Sequence, residues 1–272
     1  MTGEKIYPNP AFTALVLAGE RGPTDPLTEG TDAECKALVP IGGTPMLFRV
    51  LDALSDSDEV GPILISGPDR SQMEQSRHLT DGIAADHWDW SPPGASPATS
   101  AYTALQSLPQ ESPVLLTTAD HALLSAEIVD HFCAAARRSG CDLAVALADH
   151  AQVVSAFPDV RRTALHFRGG AYCGCNLYAF LTPESRRVAD FWSQVEHDRK
   201  RPWRIARALG WGPLFAYLTR RLSLEGTLRL LSDRLGLRIC PVILPFPHAA
   251  VDVDKPSDRD LVERILESRE GA

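Results

Sequence analysis

The stretch Phe12-Thr13-Ala14-Leu15-Val16-Leu17-Ala18-Gly19 decides the fold. It stays almost wholly apolar through Ala18, then breaks into a loop rich in Gly, Pro, Asp and Thr that runs to Glu34. A strand without polar alternation is buried on both faces, as in a parallel sheet covered by helices. The pattern repeats downstream. Gly61–Ser66, Pro113–Thr117 and Leu143–Leu147 read as further buried strands. Between them lie helical patterns at Pro45–Leu54, where Met46, Val50 and Leu54 recur every four residues, at Ser100–Leu108, and at Ser125–Arg138, opened by a Ser125 cap. Repeated strand–helix units predict an α/β fold: a mostly parallel, twisted sheet flanked by helices, with right-handed crossovers.

The later chain changes character. Leu165–Phe167 and Asn176–Phe180 read as strands on either side of a Gly169-Gly170 turn, an antiparallel addition around the ligand-binding face. Residues 184–237 read as a helical insertion punctuated by Pro202, Gly210, Gly212, Pro213 and Gly236. Ile239–Leu244 returns as a strand, and Ser257–Ser268 as a closing helix with Leu261, Ile265 and Leu266 inward. The absence of a Pro/Ser-rich linker predicts one domain over residues 1–272.

Composition narrows the function. The chain has 272 residues, 44% of them hydrophobic, enough for a sizeable core. A formal charge of −8 and 7% aromatics argue against general nucleic-acid binding, which favours a basic domain. That charge is uneven. Residues 199–238 hold ten basic and two acidic side chains, a net of +8, which leaves −16 for the rest. With Trp203, Trp211, Phe215 and Tyr217 alongside, this segment is a candidate membrane-surface contact; the competing reading turns its apolar residues inward and leaves its arginines solvated. No apolar run approaches the ~18 residues of a membrane span, and the start lacks the order of a signal peptide. The six cysteines form no C-x-x-C pair and are expected as buried or free thiols in a reducing cytoplasm. A cytoplasmic protein, with at most peripheral contact at the inner membrane face, is the expectation.

Ligands of open α/β sheets gather at the carboxyl ends of the strands, and four clusters fall there. The first is Leu17-Ala18-Gly19-Glu20-Arg21-Gly22, a loop whose amides can approach phosphates closely. It matches neither G-x-G-x-x-G nor a P-loop. The second is Lys36 ahead of Ala37-Leu38-Val39-Pro40-Ile41-Gly42-Gly43-Thr44-Pro45. The third is Thr117-Thr118-Ala119-Asp120-His121, with Asp120 suited to a divalent cation or to capping the next segment, and His121 a candidate base. The fourth is Val251-Asp252-Val253-Asp254-Lys255-Pro256-Ser257-Asp258, where Asp252 and Asp254 point the same way on extended chain and Ser257 can cap the last helix.

In this order the clusters resemble nucleotidyltransferases that join an NTP to a phosphorylated acceptor: molybdenum-cofactor guanylyltransferase-like enzymes, cytidylyltransferases and sugar-1-phosphate nucleotidyltransferases. The carriers are the L-A-G opening, the lysine before A-L-x-P-x-x-G-x-P-M, the strand ending in Asp120, and D-V-x-x-P-x-D from Asp252 to Asp258, over roughly residues 11–150 and 238–268. The resemblance implies a Rossmann-like, GT-A type sheet and an Mg²⁺-dependent reaction, with Mn²⁺ as a substitute. It implies that Leu17 to Gly22 hold the nucleotide and Lys36 its phosphates, that Gly94 and Ser96 meet the base, and that Asp120, Asp252 and Asp254 serve the metal. Gly174 and Asn176 match the acceptor stretch, to which Lys200 from the basic segment is added as a grip on an anionic acceptor. Two positions depart from the family: Glu20 stands at its second glycine and Thr24 at its arginine. Other readings are a glycosyltransferase using Asp252-Val253-Asp254 as D-x-D, and a nucleotide-binding regulator without catalysis.

Overall fold

The computed structural model describes residues 11–20, 25–158, 163–197 and 222–270. Arg21, Gly22, Thr24, Lys200 and the 199–221 part of the basic segment lie outside the described residues.

The strands are β1 Phe12–Leu17, β2 Pro40–Ile41, β3 Thr44–Pro45, β4 Val60–Ser66, β5 Asp89–Ser91, β6 Val114–Thr118, β7 Leu143–Asp149, β8 Leu165–Phe167, β9 Gly170–Phe180 and β10 Ile239–Leu244. The helices are α1 Met46–Asp56, α2 Arg70–Gln75, α3 Arg77–Ala84, α4 Pro97–Ser107, α5 Ala126–Ser139, α6 His150–Ala156, α7 Arg187–His197, α8 Leu224–Leu235 and α9 Pro256–Glu270. The main sheet runs β10-β7-β9-β6-β1-β4-β5, with β8 paired to β9. Pairs β1/β4, β1/β6, β4/β5 and β7/β10 are parallel, while β9 is antiparallel to β6, β7 and β8.

The reading of Phe12–Ala18 holds. Every residue of β1 is buried, and its side chains divide by alternation: Ala14 and Val16 join the core under α1 and α5, Leu15 and Leu17 the core under α4. Each large side chain so buried contributes about 1.5–3 kcal/mol, which is why both faces must be covered. α7 packs on α4, and α8 beside β10. Ser125 caps α5, and Gly140 in the left-handed conformation closes it.

Three expectations are corrected. The strand expected at Asn176–Phe180 begins at Gly170, and it lies between β6 and β7 in the middle of the sheet rather than as an addition around it. Its first half, Gly170-Ala171-Tyr172-Cys173-Gly174-Cys175, lacks a continuous apolar run because Gly170 and Gly174 interrupt it, and its first three residues are only half-buried. Ser257 does not cap the last helix, since α9 has begun at Pro256. Cys141 and Cys240 form a disulfide, while Cys35, Cys133, Cys173 and Cys175 are buried outside it. Pairing β10 alongside β7 brings the two Cα atoms to 6.1 Å, within disulfide range, although 99 residues separate them.

No described helix is long and apolar enough to cross a membrane.

Candidate active site

The end of β1 is pinned from both sides. Ala18 N–H donates to Ser66 O of β4 at 2.8 Å, and Ala119 N–H beyond β6 donates to Leu17 O at 2.9 Å. Gly67 then abuts the loop after β1: with φ +92°, a Cβ there would stand 2.6 Å from Gly19 N and 2.8 Å from Ala18 C. Only glycine allows that approach. The backbone of Ala18 and Gly19 is thus fixed before any ligand arrives.

Lys36 opens a short 3₁₀ turn, Lys36–Leu38, anchored by buried Cys35 and Ala37. From there its Nζ donates to Asp120 Oδ2 at 2.9 Å and to Asp254 Oδ1 at 2.8 Å. Burial alone would lower its pKa, but the Asp120 and Asp254 carboxylates outweigh that and hold it above the ordinary lysine value. Lys36 is therefore a permanent cation at neutral pH. Asp120 is oriented by Thr118, whose hydroxyl donates to Oδ1 at 2.6 Å, and its carbonyl accepts Val253 N–H at 3.0 Å.

That last bond draws the C-terminal segment to the sheet. Val251 and Val253 are fully buried, in a small core with Leu27, Val39, Ile41, Met46 and Leu261. Period-two alternation then turns Asp252 and Asp254 the other way, to one hollow. Asp252 Oδ2 accepts Asn176 Nδ2 at 3.3 Å. Asn176 itself sits at φ +48°, a conformation asparagine tolerates better than most residues. Asp254 N–H donates to buried Asp258 at 3.2 Å.

Two hollows meet at Asp254. The first, about 320 Å³, is lined by Leu17, Ala18, Gly19, Glu20, Lys36, Gly94, Ser96 and Asp120, so it gathers every described residue expected to hold nucleotide. The second, about 380 Å³, is lined by Gly174, Asn176, Asp252, Lys255 and Asp258 among others. The described residues expected at the acceptor thus stand apart from those expected at the nucleotide; of the metal candidates, Asp120 lines the first hollow, Asp252 the second and Asp254 both. Ser100 was not anticipated: it is 4% exposed, lines the first hollow, and its Oγ accepts Gly94 N–H at 2.8 Å. A serine four residues past the Ser96 cap, on the same helical face, was the available signal. Lys255, in the second hollow, was also missed.

His121 stands apart from both hollows. It is fully buried and lines neither of them. Burial pushes its pKa down to about 4 despite neighbouring Asp120, so the ring is neutral. Among the described residues, no group of three or more His, Cys, Asp or Glu side chains is placed to hold a metal ion.

An α/β sheet that collects a glycine loop, a clamped lysine and carboxylates at its strand ends defines a nucleotidyltransferase architecture. The profile of the MobA-like NTP transferase domain matches residues 14–234, and the chain belongs to that family. Among solved structures it is similar to a hypothetical transferase from Thermus thermophilus, with TM-score 0.73 and 26% identity over 92% of this chain and 99% of the other. It is also similar to 4-diphosphocytidyl-2C-methyl-D-erythritol synthase from Anaerococcus prevotii DSM 20548 (TM-score 0.57, 12% identity, 94% and 96% covered). A third similar structure is CMP:2-keto-3-deoxy-manno-octonic acid synthetase complexed with CTP (TM-score 0.55, 13% identity, 95% and 99% covered). The last two likenesses are of fold. No curated protein matches the chain by sequence.

Proposed function

We propose that this protein transfers a nucleotidyl group from an NTP, CTP before GTP, to a small phosphorylated acceptor and releases pyrophosphate. The observation that carries the reading is the convergence of Lys36, Asp120 and Asp254 where the two hollows meet. A transfer reaction needs two substrates side by side with charge control at their junction.

The chemistry asks little of proton transfer. An acceptor phosphomonoester has its second pKa near ~6, so it is already an adequate nucleophile at neutral pH. It attacks the α-phosphorus of the NTP, a new P–O bond forms, and the bond to the β-phosphate oxygen breaks. Both electrons of that bond leave with pyrophosphate. A general base is not required, which agrees with a neutral, buried His121. The amides around Gly19 orient the triphosphate, and Lys36 offsets its charge. Gly94, Ser96 and Ser100 line the wall where the base would sit.

Asp120 and Asp254 already converge on one cation, the Lys36 ammonium, and carboxylate oxygens are the donors Mg²⁺ prefers. Asp120 and Asp254, the pair that shares the Lys36 ammonium, would hold Mg²⁺, or Mn²⁺ in its place, while Asp252 is not gathered with them into a three-carboxylate set; such an ion would offset charge on the phosphates. Asn176 and Gly174 belong to the acceptor side. The second hollow offers mainly polar walls, with Leu165, Cys173 and Ala250 its apolar contribution, and so favours a compact acceptor such as a sugar phosphate or a phosphorylated head group.

The test is pyrophosphate release from each of the four NTPs with Mg²⁺ and a panel of phosphorylated small molecules. Release with one pair, lost in Asp120→Ala, supports the proposal. An NTP that raises the melting temperature without release for any acceptor would establish a binding protein instead.

A further inference from the structure

Glu20, where the family's opening carries a second glycine, is built into the site by two hydrogen bonds. Its Oε1 accepts the backbone N–H of Lys36 at 2.8 Å, and its Oε2 accepts from Gln72 Nε2 at 3.2 Å. Gln72 in turn donates to the carbonyl of Glu34 at 3.1 Å and accepts Asp69 N–H at 3.1 Å, closing the capping box of α2. One carboxylate therefore joins the loop after β1, the turn that carries Lys36, and α2. These segments are 16 and 52 residues from Glu20 in the chain.

The geometry matters because Lys36 is a long, flexible side chain whose reach depends on where its backbone is held. The 3₁₀ turn offers no side-chain cap at Cys35. The Glu20 bond to Lys36 N–H is charge-assisted, and such bonds are shorter and stronger than neutral ones. It fixes the first residue of the turn, the one that sends Nζ to Asp120 and Asp254.

We propose that Glu20 is a positioning residue: it holds the Lys36 turn against the loop after β1 and α2, so that the Lys36 ammonium is presented to nucleotide phosphates. The proposal rests on the nucleotide reading of the first hollow. It differs from the idea that Glu20 imitates a phosphate by occupying an amide the nucleotide would use. The two give opposite signs: loss of a positioning residue weakens nucleotide binding, whereas loss of a phosphate mimic strengthens it.

The experiment compares the full chain with Glu20→Ala, Glu20→Gln and Gln72→Ala. Glu20→Gln preserves an acceptor for Lys36 N–H but removes its charge and the acceptor of the Gln72 bond. The first readout needs no nucleotide. The chain has only four lysines, at 5, 36, 200 and 255, so limiting acetylation followed by peptide mass spectrometry reports Lys36 against exposed Lys255. Glu20→Ala should raise the Lys36-to-Lys255 ratio about fivefold, and Glu20→Gln only about twofold. The second readout is calorimetric affinity for Mg²⁺ with CTP or GTP, which should weaken about tenfold in Glu20→Ala and about threefold in Glu20→Gln.

An unchanged labelling ratio, or tighter nucleotide binding, in Glu20→Ala overturns the proposal. Should that variant fail to fold, Gln72→Ala decides by the same two signs, since it removes the Gln72 bonds to Glu20, Glu34 and Asp69 while leaving the Glu20 acceptor for Lys36 N–H. If wild-type protein binds neither nucleotide, the functional reading fails while the labelling ratio still tests Glu20.

Discussion

Lys36 and Arg186 stand at opposite ends of β6 and are held in opposite ways. Lys36 lies at the carboxyl end, 20% exposed, gripped by two side-chain carboxylates. Arg186 lies at the other end, 2% exposed, and donates to four backbone carbonyls: Leu105, Leu108, Pro109 and Ser112. Those carbonyls belong to the end of α4 and the loop that leads into β6, so Arg186 satisfies a helix terminus and a turn that would otherwise be orphaned. Carbonyls offer no alternative chemistry, and the guanidinium is locked. Carboxylates at a mouth can be shared with an incoming ligand. The cation whose partners can be redirected belongs to the site, and the one whose partners cannot belongs to the scaffold.

This contrast breaks most readily at Arg186. Replacing it with alanine leaves buried acceptors unpaired and a cavity, at a cost of about 3–5 kcal/mol. The expected outcome for Arg186→Ala is a melting temperature lower by about 10 °C. Nucleotide affinity of the folded fraction should stay within about twofold of wild type. A drop in affinity matching the loss of stability would show that the two ends of β6 are not separable.

The next effect is acid sensitivity next to the site. His121 is neutral in the folded protein, with a pKa pushed down to about 4, and near 6.5 when unfolded. Between those values the unfolded chain binds more protons, so stability is full above pH 6.5 and falls as pH drops toward 4. The loss is on the order of 3 kcal/mol. Urea unfolding at pH 7 and pH 4.5 measures it, and His121→Leu should remove about half of the slope, the rest belonging to His248, whose pKa burial also pushes down to about 4. A variant slope equal to that of wild type would place the acid lability elsewhere.

Lys36→Met should show the reverse of the arginine result. Nucleotide affinity should fall about thirtyfold, equivalent to about 2 kcal/mol, while the melting temperature moves by only about 2 °C. Calorimetry and a thermal melt on the same sample check both halves. A large stability loss with intact affinity would make Lys36 part of the scaffold too.

How much of this was legible depends on how local the determinants are. Phe12–Ala18 carries its own instruction, because a run with no polar face has nowhere to go but between helices. The alternation Val251-Asp252-Val253-Asp254 is equally local and correctly turned its carboxylates to one hollow. Arg186 was not legible: in Glu184-Ser185-Arg186-Arg187 it resembles surface, and only the return of the chain under α4 buries it. The Glu20 bonds and the Cys141–Cys240 pairing depend on partners far along the chain, which pattern alone does not connect. β9 was half visible, since Gly170 and Gly174 interrupt the apolar signal in its first half.

The smallest expected effect tests the division between the two hollows. Gly174 lines the second, its φ is not positive, and a Cβ built there meets nothing within 4 Å. The contrast is Gly67, where a Cβ would collide with the loop after β1. Gly174→Ala therefore adds one methyl to the acceptor side at a stability change within about 0.5 kcal/mol. Because the first hollow does not include Gly174, nucleotide affinity should be unaltered, and the methyl should register only as a rise of a few-fold in the acceptor KM. If instead the variant weakens NTP binding and leaves the acceptor KM unchanged, the two hollows have been assigned the wrong way round.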